Sequence, residues 1–176
     1  MTSDRERGQS RSQALARLAF GAGGAIAGTV YGTVVAMATL TAAYASEKHP
    51  WKLAIIVAST AIVLWVAHLY AHTLGESIRH ERRPSRDDVT SIARRELGIL
   101  LAAAGPVAAL VLGAAGALGD TASVWLAFAV GLVILAAEGI RYARFERAGF
   151  VVSVAAIGTN LALGLVVVAL KVALSH

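Results

Sequence analysis

Cysteine is missing from the chain, which excludes disulfides, thiolate metal sites and thiol chemistry. Charge is scarce as well. Only 15% of the 176 residues are Asp, Glu, Lys or Arg, and 57% are hydrophobic. A soluble domain carries about 25% charged residues, enough to cover its surface. So few charges could not clothe a small globule, and those present are clustered, with long stretches holding none. A soluble enzyme, a disordered regulator and a nucleic-acid module are thereby excluded. The mean hydropathy of +0.66 points the same way.

What is there reads as membrane spans. A bilayer crossing needs about 20 mostly apolar residues. Five segments qualify: about 18–45, 51–74, 97–118, 121–140 and 150–174. Segments three and four are joined only by Gly119 and Asp120, which implies a tight antiparallel hairpin. Residues 1–17 form a basic tail, and nothing outside the spans is large enough for a domain. The longest polar stretch, about 75–96, reads as helical extensions of spans two and three, broken at Pro84. Ser85 and Asp88 have the spacing of a capping box for the next helix. The expected fold is an all-α integral membrane protein, a five-helix bundle in a single membrane domain covering 18–176.

The formal charge of +5 would suggest nucleic acid in a soluble protein. Here it reports topology. Every arginine lies before span one, between spans two and three, or between four and five. Lys48, Lys52 and Lys171 fall on the other side. The positive-inside rule therefore puts the N-terminus in the cytoplasm and the C-terminus outside. Arginine over lysine, with abundant Ala, Gly and Val, fits a GC-rich bacterial genome, hence a bacterial cytoplasmic membrane. Ala43-Tyr44-Ala45 looks like a signal-peptide cleavage site, but the apolar run before it is far longer than such a peptide carries.

Small residues mark helix contacts. Gly24, Gly28, Gly32 and Ala36 recur every four residues in span one, and Gly105, Ala109, Gly113 and Ala117 do so in span three. Between helices in lipid, close packing relies on such residues. The first stripe serves a contact within the chain or between chains, and a homo-oligomer is expected. Pro106 should bend span three.

The candidate chemistry lies in ionisable groups near the hydrocarbon. His68, His72, Glu76 and His80 are each four residues apart and share one helix face. Glu138 closes span four and Glu96 opens span three at the same level. Buried ionisable groups are costly and usually face a bundle interior or wet cavity. His68, His72 and Glu76 could hold a divalent metal, the one cofactor the pattern allows, or pass protons. Asn160 and Tyr31 would continue the path. Plainer roles exist for each: Glu76 and Glu96 pairing with arginines, Glu138 with Arg141, the histidines packing, and Asn160 joining two helices. No hydrolase acid pair, phosphate loop or nucleophile constellation is present, so the chain is not expected to be an enzyme.

Val30-Tyr31-Gly32-Thr33-Val34-Val35-Ala36-Met37 and the stretch from His49 to Glu76 resemble a family of small multi-pass membrane proteins of actinobacteria. The resemblance covers most of the chain after about residue 20 and brings no established activity with it. A looser, architectural likeness is to vacuolar iron transporter-type proteins, which have five spans and a metal-binding feature beyond span two. Tyr31-Gly32 stands where their first span has an Asp-Gly signature, and their glutamate-rich insert is missing, so the likeness does not extend to iron. Two functions follow: passage of a small cation, proton or divalent metal; or an accessory role in which the arginine rim binds anionic lipid headgroups or a partner protein.

Overall fold

The computed structural model describes residues 26–145 and 150–174. Gly24 and the basic tail lie outside the described residues. The described residues form six helices: α1 (Ile26–Ser46), α2 (Pro50–His80), α3 (Arg86–Arg95), α4 (Leu97–Ala114), α5 (Asp120–Phe145) and α6 (Phe150–Leu174). Among the described residues there is no strand. Four of the described stretches are long and apolar enough to cross a membrane: α1, α2, α3 with α4, and α5. A helical membrane bundle accounts for this pattern. The helices outrun the expected spans: α2 continues six residues past Leu74, and α5 five past Ile140.

The turns follow from local chemistry. Pro50 sits in the first turn of α2, where its missing N–H costs nothing. Glu47 closes the α1–α2 corner. Its Oε1 accepts the N–H groups of Lys48 and His49, at 3.0 and 2.9 Å, and its Oε2 takes the Lys52 ammonium at 2.8 Å. The Lys52 hydrogen bond, helped by the His49 N–H, draws the Glu47 pKa down from 4.5 to about 2. At the other end, the expected capping box is formed. Ser85 Oγ accepts from the Asp88 N–H at 3.1 Å, and Asp88 Oδ2 accepts from the Ser85 N–H at 2.8 Å. Arg82 grips the same carboxylate at 2.7 Å.

The α4–α5 hairpin turns earlier than its sequence implied. Residues 115–119 make the turn, and Asp120 already belongs to α5. Ala117 N–H bonds the Leu112 carbonyl and Gly116 N–H the Gly113 carbonyl, a Schellman ending. Gly116 supplies the left-handed residue at φ 77°. In the third span the helix is interrupted at Glu96, between α3 and α4, while α4 runs on through Pro106.

Small residues decide the packing. A Cβ on Gly32 would stand 2.9 Å from Ile99 Cα and 3.0 Å from its carbonyl oxygen. The stripe of Gly28, Gly32 and buried Ala36 thus packs within the chain, with the two glycines against the start of α4. It supplies no argument for an oligomer. In α4, Gly105 and Gly113 lie against Val130 and Ser123 of α5, whereas Ala117 falls in the turn, exposed. Gly139 and Gly164 bring α5 and α6 together at Ile157, Leu132 and Leu135. The core that results is built on Met37, Leu40, Leu53, Val57, Leu110, Val124, Phe128 and Leu135.

With α2 packed along α4, its Pro50 beside Gly113, the helices α2, α4 and α5 are successive antiparallel neighbours. The C-terminal half of α2, the start of α4 and the end of α5 consequently meet at one end of the bundle. That end carries all the described arginines; Lys48 and Lys52 mark the other.

Candidate functional site

At the arginine-rich end, α1, α2 and the α3–α4 junction enclose a cavity of about 430 Å³. Tyr31 comes from α1, His68, His72, Glu76 and Arg79 from α2, and Arg95 and Glu96 from the junction. Trp65 helps fix this arrangement by donating its indole N–H to the Ala93 carbonyl at 3.3 Å, tying α2 to α3. The interruption at Glu96 also matters, because it turns the carboxylate inward over Gly28, where a Cβ would stand 3.8 Å from Oε2, in ordinary contact.

Within the cavity the rings form a line. Tyr31 and His68 have centroids 5.2 Å apart, and His68 and His72 are 6.3 Å apart. His68 Nδ1 lies 3.1 Å from the Leu64 carbonyl. A carbonyl only accepts, so Nδ1 carries the hydrogen and Nε2 is the basic nitrogen of the neutral ring. His72 Nε2 is 3.4 Å from Glu96 Oε1, which also faces Arg95 Nε at 3.4 Å. Glu76 pairs with Arg79 at 3.6 Å. The Glu96 side chain is only 7% exposed, while that of its neighbour His72 is 47% exposed, so the line ends on a covered acid beside an open imidazole.

Four candidates from the sequence, Tyr31, His68, His72 and Glu76, share this cavity. Glu96 joins them while also pairing with an arginine. Arg79 and Arg95 were missed as site residues, since arginines at a span end read as topology alone. Among the described residues no three His, Asp or Glu side chains are placed to hold a metal ion.

The other two candidates stand apart. Asn160 donates from Nδ2 to the Leu135 carbonyl at 3.4 Å, joining α6 to α5. It lines a second cavity of about 540 Å³, mostly apolar, between α1, α5 and α6. Tyr31 borders both cavities. Glu138 lines neither; its Oε1 accepts from Arg141 at 2.6 Å, and its Oε2 is buried with no hydrogen-bond partner among the described residues.

Fold and site together describe a helical membrane bundle with a His/Glu/Arg cavity at one end. Compared with known proteins, the chain matches no family model, no curated protein and no solved structure.

Proposed function

We propose that the protein crosses a bacterial cytoplasmic membrane five times, N-terminus inside and C-terminus outside, and passes a small cation through the His/Glu cavity. The fifth crossing is α6, whose 25 residues rise about 37 Å as a helix, enough for a bilayer core. The gathering of arginines at one end supports the orientation. Because the chain has no cysteine, single substitutions report sidedness without background. In intact cells, Ser46→Cys and Ser175→Cys should react with an impermeant maleimide, and Ser77→Cys only after permeabilisation. Reaction of Ser77→Cys and Ser175→Cys from the same side would end the five-span reading.

The observation that carries the functional reading is the Tyr31–His68–His72–Glu96 line. Histidine takes up and releases protons near neutrality, and ring spacings of 5–6 Å suit transfer through an intervening water. We favour the proton over a divalent metal, because two imidazoles on one helix face, with Glu76 turned to Arg79, make a poor closed ligand set. Proteoliposomes loaded with a pH-sensitive dye test this directly. A proton gradient should drive flux that falls at least tenfold in His68→Ala/His72→Ala, while zinc or manganese flux stays at the protein-free level. Equal proton flux in the double variant sinks the reading. An accessory role remains the second proposal, favoured by α3, which buries Ile92 and exposes Arg86 and Arg94, as a helix resting on anionic headgroups does.

A further inference from the structure

The two cavities flank the same stretch of α1. Ala27 and Tyr31, one turn apart on α1, line both of them. Ala27 is exposed and carries only a methyl group, so the ridge between the cavities is lowest there. On one side the lining is charged with both signs: Glu76 beside Arg79, and Glu96 beside Arg95. On the other side Ile26, Val30, Val34 and Leu163 make an apolar slot. From Ile26 to Val34 the slot follows α1 for about 12 Å, away from the arginine-rich end. Both volumes lie in the roughly 300–1,000 Å³ range of small-molecule sites.

We propose that the paired cavities form one binding site for a glycerophospholipid whose headgroup carries both a phosphate and an ammonium. The phosphate lies against Arg79 and Arg95, the ammonium turns to Glu76, and an acyl chain passes over Ala27 into the slot. Charge matching selects this class. A purely anionic headgroup would meet two carboxylates in the same cavity, and a purely cationic one would meet two guanidiniums. Arginine forks suit phosphate geometry, and each arginine here already stands beside a carboxylate that an ammonium can share. The slot has little to offer water, since Asn160 already donates to the Leu135 carbonyl. The level is right as well, with the headgroup at the arginine-rich end and the chain running toward the bundle middle. This site requires only that the bundle lie in a membrane, not that it move an ion.

The test uses the full chain in nanodiscs of equal phosphatidylethanolamine and phosphatidylglycerol, transferred to mild detergent, with retained lipid counted by native mass spectrometry. Phosphatidylethanolamine should be retained about tenfold over phosphatidylglycerol. Ala27→Trp, which raises the ridge, should reduce that retention to background. Leu163→Trp, at an exposed position of the slot, should weaken it if Ala27→Trp fails to fold. Arg79→Gln/Arg95→Gln should abolish it. Retention of phosphatidylglycerol equal to or above phosphatidylethanolamine overturns the proposal, as does unchanged retention in a folded slot variant. Since no gradient or flux enters the readout, a failure here is distinct from a failure of proton passage.

Discussion

Gly32→Val is expected to unfold the first helix from the bundle. The added Cβ alone would meet the Ile99 backbone at 2.9–3.0 Å and Ala102 Cβ at 3.1 Å. Backbone cannot swing aside as a side-chain end can, so α1 must lift away from α4. Overpacking a close contact costs roughly 1–3 kcal/mol for a small added group, and a branched one against backbone belongs at or above the top of that range. Gly32→Ala should therefore lower the midpoint of thermal unfolding in detergent clearly, and Gly32→Val should leave little folded protein. Gly75→Ala is the control, because nothing lies within 4 Å of a Cβ there. It should hold or raise stability by up to about 1 kcal/mol through helix propensity. If Gly32→Val melts like the wild type, the α1–α4 contact does not organise the bundle.

That contact shows how far the sequence could be read. Four-residue spacing of Gly28, Gly32 and Ala36 declares a close helix contact, because only small residues allow it, but it does not say with which helix. The partner depends on how far α1 is rotated, and that is settled by Ile99 and Ala102, some 70 residues away. Turn chemistry was legible where it is local: Ser85 and Asp88 form the expected box, since all its atoms lie within four residues. Gly116, three residues before the expected joint at Gly119 and Asp120, was not, because an apolar run gives no mark for where a helix stops winding. The same limit applies to the site. Spacing on one helix put His68, His72 and Glu76 together, and a shared face is all that this requires. The division of Glu96 from Glu138 was beyond it. Both sit at the same level, yet Glu96 turns to His72 while Glu138 turns to Arg141, a difference of rotation about two helix axes.

Glu96→Gln is expected to keep the fold and lose the flux. Glutamine matches glutamate in shape, and its carbonyl oxygen can still accept from Arg95 and from a protonated His72. The lost ion pairing is moderated by the half-exposed partners, since exposed pairs are worth little. The unfolding midpoint should therefore shift by only a few degrees. What glutamine cannot do is bind and release a proton. If protons move along Tyr31, His68 and His72 to the covered acid, removing the last acceptor interrupts the line, and flux should fall by roughly one to two orders of magnitude. Glu96→Asp, which restores the carboxylate on a shorter stem, should recover part of it. Arg95→Gln separates the two roles of this residue: it removes the neighbouring cation and leaves the acid, so flux should survive. Loss of folding and flux together in Glu96→Gln would make Glu96 a packing group. Full flux in a folded Glu96→Gln protein would place the proton's route elsewhere, with the buried and half-paired Glu138 as the next acid to replace.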